Sequence, residues 1–173
     1  MKRFIAMFLS AVILIMLMGY TEKKMSPNYG YPDGTPGQND VQEIVIHHWG
    51  SDEATFAGSE GWLCNPASQV SAHYVVSGDQ AHCILDPKNA GWHCGNKWHN
   101  MHSIGIECNP RCSNEDMETV AHLIADIWRS QGKKIKVIGH KDIVPTDCPG
   151  RWYEKLDVLY DMAEEIYENE NKS

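Results

Sequence analysis

The sequence predicts a single α/β domain, a mixed central β-sheet flanked by helices, over residues 41–173. Three observations predict it. Within Val41–His48 the apolar residues Ile44, Val45 and Ile46 run consecutively rather than alternately, as in a strand buried on both faces, and Ser103–Cys108 reads as a further buried strand. Two long stretches, 113–132 and 152–168, repeat their apolar residues at helical spacing. Strand-like and helix-like segments are interleaved along the chain, which gives a sheet with helices packed on it.

The elements follow in order. Ile44, Val45 and Ile46 make the centre of the first strand, which ends in the pair His47-His48. A loop with a short helix near 65–70 comes next, then strands at 72–77 and 82–85, joined through a Gly78-Asp79 turn as a hairpin. After the strand Ser103–Cys108, Ser113 with Asp116 three residues on forms a capping-box pattern. The helix that it opens presents Met117, Val120, Ala121, Ile124 and Trp128 to the core and stops at Gly132. A strand at 134–138 follows, and the last helix turns Leu156, Leu159, Met162 and Ile166 inward.

Ahead of the domain, Lys2-Arg3 precedes an uncharged apolar run from Phe4 to Gly19, so residues 1–20 read as a signal peptide or membrane anchor. The expectation is an exported protein, secreted or held at the membrane. Residues 21–40, polar and rich in Pro and Gly, read as a flexible linker, with a docked arm through Tyr29 and Tyr31 as the alternative. Net charge is -8, and the acidic excess lies in Glu154–Glu170 without any basic stripe. That excludes nucleic acid as a partner, since a phosphate-binding surface needs clustered cations. Six cysteines suit an exported chain, with Cys108–Cys112 the easiest local disulfide and Cys83–Cys94 the next.

The chemistry concentrates in GHKDIVPTDCPG, where His140 stands eight residues before Cys148. Zinc favours nitrogen and sulfur ligands, and a catalytic site uses three protein ligands with one position left open. His140, Cys148 and one histidine of the His47-His48 pair meet that count, and all could converge at one end of the sheet. His47 and His48 point to opposite faces, and pattern alone does not choose between them. Glu107, on the same strand face as Ser103 and Gly105, is a carboxylate in an apolar strand and so a candidate proton shuttle. A second zinc site built from His82-Cys83 and His93-Cys94 is a competing arrangement.

Four blocks in order, IVIHHWG, VSAHYVVSGD, AGWHCGN with SIGIE, and GHKDIVPTDCPG, resemble the zinc-dependent N-acetylmuramoyl-L-alanine amidases of the phage-lysin and peptidoglycan-recognition superfamily. The resemblance spans about residues 41–153. It implies His47, His140 and Cys148 as ligands of Zn2+, Glu107 as the proton shuttle, and His93 and His73 on the substrate groove. The implied reaction is hydrolysis of the amide joining N-acetylmuramic acid to L-alanine in peptidoglycan, by a monomer tethered to the membrane or released. Where some relatives carry a catalytic tyrosine this chain has Ala72, and where some carry a lysine it has Thr146, which the resemblance assigns to the oxyanion. Two rival readings are a wall-peptide binding module without catalysis, and a cysteine peptidase with Cys148 as nucleophile.

Overall fold

A computed structural model describes residues 24–31 and 40–170. The expected signal or anchor at 1–20 lies outside the described residues, as does most of the expected linker. Five strands, β1 (Glu43–His48), β2 (Tyr74–Ser77), β3 (Gln80–Cys83), β4 (Ser103–Cys108) and β5 (Lys136–Gly139), form one sheet in the order β3-β2-β4-β1-β5. β1 runs parallel to β4 and β5, and β2 parallel to β4, while β3 alone is antiparallel to its neighbour β2. The mixed sheet expected from the sequence is therefore present, with helices α1 (Phe56–Leu63), α2 (Lys97–His102), α3 (Asn114–Gln131) and α4 (Leu156–Glu170) around it.

The two-residue period of the strands sorts their side chains into two different interiors. Ile44, Ile46, Val76, Ile104 and Ile106 are fully buried beneath α3 and α4, against Val120, Ile124, Trp128, Leu159 and Ala163. Trp128 keeps its buried indole satisfied by donating Nε1–H to the Ile135 carbonyl at 3.0 Å. The opposite face carries Val45, His47, Val75, Gly105, Glu107 and Ile138. It is covered by loops and by α1 and α2, a thinner layer that leaves a cleft.

α3 begins and ends where its sequence signals place it. Ser113 Oγ accepts from Asp116 N, the Asp116 carboxylate accepts from Ser113 N at 2.8 Å, and Gly132 closes the helix in the left-handed region at φ 67°. Other segments differ from expectation. The helix expected at 65–70 is only a 3-10 turn, Pro66–Ser68, because Gln69 goes left-handed (φ 53°) and stops it. A helix at 56–63 was hidden by Gly58 and Gly61, which lower intrinsic helicity; Thr55 starts it by accepting from Gly58 N at 3.1 Å. β3 sits two residues earlier than expected, and Ile84 and Leu85 are buried just beyond its end.

Residues 24–31 do not behave as the linker expected of them. Ser26 donates Oγ–H to the Leu63 carbonyl at 2.6 Å, Tyr29 bridges to Gly91, and Ser26 and Asn28 are buried. Polar side chains that find carbonyl partners on the domain hold this segment in place. The expected disulfides are absent, all six cysteines being free. Cys94 lies buried with Val45 of β1 and Ile138 of β5, whereas Cys83 is on the edge strand β3 with β2 and β4 between it and β1, and Cys108 points into the helix-covered core.

Candidate metal centre and active-site cleft

β1, β4 and β5 are parallel, so their carboxyl ends lie side by side and deliver their last residues to one place. His47 is paired in register with Glu107, and Ile46 with Gly139, which puts His140 one step beyond. The chain then turns through a loop held by Asp142, whose carboxylate accepts from Gly139 N at 2.9 Å and from Tyr153 OH at 2.7 Å. That loop returns Cys148 to His47. The ligand atoms of His47, His140 and Cys148 all lie within 4.8 Å of one another.

These residues fit a zinc ion. Tetrahedral bonds of about 2.0 Å to nitrogen and 2.3 Å to sulfur place the two ligand atoms about 3.5 Å apart; His47 Nδ1 and Cys148 Sγ are 3.6 Å apart. His140 Nε2 is buried with no hydrogen-bond partner among the described residues. Its ring bonds the Cys94 backbone, which leaves that second nitrogen for an ion. Burial holds His47 well below the ordinary histidine range and lowers His140, so both rings are neutral ligands at neutral pH. Burial also pushes the Cys148 thiol up to about 12, although the His48 amide, donating to Sγ at 3.4 Å, works against that.

His48, the other member of the pair, is turned away. Its Nδ1 accepts from Gly50 N at 2.8 Å and its ring lies against Gly150, a left-handed glycine (φ 61°) where a Cβ would meet the imidazole at 2.9 Å. Glu107 faces the cleft with the ligands. Its Oε2 is sealed from solvent without a hydrogen-bond partner among the described residues, and burial pushes the carboxyl up to about 7. A carboxyl with that affinity for a proton can both take and return one near neutral pH. Thr146 also lines the cleft, where its Oγ1 accepts from Cys148 N at 3.2 Å and keeps its own O–H as a donor.

The two histidines expected on the substrate groove take different positions. His93 borders the cleft, but its ring serves His47: Nδ1 lies 3.0 Å from His47 Nε2, and Nε2 lies 3.5 Å from Ser103 Oγ. With Nδ1 of His47 aimed at Cys148, Nε2 carries the proton and donates it to His93, which fixes tautomer and ring angle. His73 is a correction. It is fully buried away from the cleft, accepting from Gly105 N at 2.9 Å and bonding the Asn89 carbonyl at 3.0 Å. Both ring nitrogens are committed to backbone, so it braces β4 and the 86–90 turn.

The rival zinc site does not assemble, since His82 is exposed and bonds Glu60 at 3.1 Å. Cys94 and His93 do cluster with His47, but Cys94 Sγ to His93 Nδ1 is 3.1 Å and burial pushes that thiol up to about 12. Those spacings are hydrogen bonds behind the ligand, not a second cage. Gly105 makes the cluster possible, because a Cβ there would fall 2.6 Å from His93 Nδ1. Sequence reasoning missed this glycine's purpose, and it missed the cleft walls. The cleft encloses about 580 Å3 and is walled by Trp49, Trp62, Val70, Ser71 and Trp92, with Trp62 more than half exposed. An aromatic left so open within a cleft is the structural mark of that wall, and nothing in the sequence sets Trp62 apart from a core aromatic.

The comparisons with known proteins agree with this geometry. A family model described as N-acetylmuramoyl-L-alanine amidase matches residues 37–151. N-acetylmuramoyl-L-alanine amidase A of Achromobacter lyticus is 35% identical over 78 residues, 44% of this chain and 41% of that protein, so the match spans about two fifths of the relative. Among solved structures, a mutant endolysin from Bacillus subtilis superposes with a TM-score of 0.65 at 23% identity, covering 81% of this chain and 96% of that one. The catalytic domain of XlyA gives 0.64 at 21%, covering 83% and 94%. At those identities the structures speak for the fold. With the family model matched over most of its length, the chain belongs to the N-acetylmuramoyl-L-alanine amidase family.

Proposed function

We propose that this protein is a zinc-dependent amidase that hydrolyses the bond between N-acetylmuramic acid and L-alanine in peptidoglycan. The observation that carries the reading is the convergence of His47, His140 and Cys148 beside Glu107 at the floor of an aromatic-walled cleft. A zinc ion held by those three residues would polarise the scissile carbonyl and acidify water at the open position.

The chain's own groups supply the rest. Glu107 Oε2 takes the proton of the attacking water and returns it to the nitrogen of the departing L-alanine, a transfer suited to a carboxyl held near 7. The Thr146 hydroxyl, its oxygen already engaged by Cys148 N, donates to the carbonyl oxygen as negative charge develops there. His93 holds the His47 ring in place, and Asp142 and the His48 amide hold the loop and sulfur of the other two ligands. Trp49, Trp62 and Trp92 offer faces against which sugar and peptide can lie while water is excluded.

The cysteine-peptidase reading loses ground to the same geometry. A thiol pushed up to about 12 is protonated at neutral pH unless a cation stands beside it. In our reading residues 1–20 export the protein and either leave it secreted or tether it to the membrane, on the strength of the Lys2-Arg3 and apolar-run pattern. Metal analysis tests the site: one zinc per wild-type chain, lost in Cys148→Ala, and amide cleavage abolished by a chelator and restored by zinc. A wild-type protein that cleaves equally well after chelation contradicts it.

A further inference from the structure

The segment 24–31 is fastened to the domain by a run of polar bonds. Asn28 is 4% exposed, and its Nδ2 faces three acceptors: the Asn65 carbonyl at 2.9 Å, Ser68 Oγ at 3.0 Å and the Val70 carbonyl at 2.9 Å. Those acceptors span the whole 65–70 loop, whose own bonds run through Asn65 and Ser68, from Ala67 and Ser68 to Asn65 and between Ser68 Oγ and Val70. The loop ends in Val70 and Ser71, which line the cleft.

The next bonds along the arm reach the other half of the same wall. Gly30 donates its amide to Ala90 O at 2.9 Å, and its carbonyl receives the indole Nε1–H of Trp92. Trp92 is tied back to the loop, its amide donating to Ser71 Oγ at 2.8 Å and its carbonyl accepting from Ser71 N at 3.1 Å. Asn28 and Gly30 thus grip the Val70-Ser71 edge and the Trp92 edge from behind, and His93 next to Trp92 is the residue that steadies His47.

From these bonds we infer that the arm, through Asn28 above all, is a positioning element for the substrate-binding wall of the cleft, acting on Val70, Ser71 and Trp92 rather than on the metal ligands. The inference rests on the amidase reading for its substrate. A buried amide whose two N–H groups face two main-chain carbonyls and a hydroxyl ties the 65–70 loop to the arm in addition to the loop's own bonds, and loss of that donor loosens the wall while β1, β4 and β5 keep the ligands in place.

The test compares the full chain with Asn28→Ala, and with Ser68→Ala at a less buried position in case the first variant folds poorly. Two readouts are taken, amide hydrogen exchange and steady-state cleavage of a soluble muramyl-peptide fragment. The expected result is faster exchange confined to residues 65–71 and 92, with KM raised about tenfold and kcat and zinc content nearly unchanged. Ser68→Ala gives the same pattern at smaller amplitude. Exchange in 65–71 that matches wild type overturns the inference, as does a fall in kcat or zinc content with KM unchanged. A wild-type protein that folds and loads zinc but does not cleave the fragment counts against the amidase reading, while the exchange comparison still decides whether the arm braces the wall.

Discussion

Replacing Gly105 by alanine tests whether His93 supports the metal centre. The added Cβ would lie 2.6 Å from His93 Nδ1 and 2.8 Å from Cγ and Cε1. Non-bonded atoms settle at about 3.5 Å, so the ring must retreat by about 0.8 Å. His93 Nδ1 now lies 3.0 Å from His47 Nε2, and a displacement of that size takes the pair out of hydrogen-bonding range. Losing a ligand's supporting bond costs about 10- to 100-fold in metal affinity, and overpacking a buried site costs about 1–3 kcal/mol of stability. Competition with a chromophoric chelator reads the first and thermal unfolding the second. Gly132→Ala is the control, since Gly132 has a positive φ (67°) that strains any side chain but nothing within 4 Å of its missing Cβ. It should cost stability and leave zinc affinity alone. A Gly105→Ala protein that binds zinc within about twofold of wild type would refute the role given to His93.

Glu107→Gln should lower kcat by about 10²- to 10⁴-fold with a small change in KM, measured on the soluble fragment. The same variant carries a pH signature in metal-free protein. Burial raises the folded carboxyl from 4.5 to about 7, so the folded state binds the extra proton; stability is full below about 4.5, falls by about 3 kcal/mol as pH rises to about 7, and is flat above. Denaturant titrations should show that fall in wild type and its absence in Glu107→Gln. Asp116→Ala removes acceptors for Ser113 N, Ser113 Oγ and Gly78 N, at 2.8, 2.7 and 2.7 Å, and should destabilise by about 3 kcal/mol. Its zinc content should be unchanged, because Asp116 joins α3 to the β2–β3 turn away from the cleft. Thr146→Val should cut kcat by about tenfold or more if its hydroxyl serves the oxyanion, with the metal retained.

Much of this was legible in the residues. The strand Glu43–His48 and the capped helix 114–131 declared themselves because an unbroken Ile44-Val45-Ile46 run buried on both faces and a reciprocal Ser113–Asp116 cap leave unmistakable patterns. The metal ligands were legible as a set of residue types, but the choice of His47 over His48 came from resemblance, and the structure supplies the reason: His48 spends its ring on Gly50 and Gly150. His73 misled because a buried histidine satisfied by two backbone groups looks the same in sequence as one aimed at a ligand. The docked arm was legible only as an alternative to the linker, argued from Tyr29 and Tyr31. Its anchors are Ser26 and Asn28, residue types common in loops, and only the carbonyls waiting on the domain make them structural.

The most direct test of the central claim is the identity of the bond broken. Purified peptidoglycan of known composition is digested with the zinc-loaded protein and the products are weighed by mass spectrometry. The account predicts stem peptides with a new L-alanine amino terminus, glycan strands whose lactyl groups end in a free carboxyl, and neither product after chelation. Cleavage between two stem residues or between two sugars, or the same products in the presence of a chelator, would contradict it.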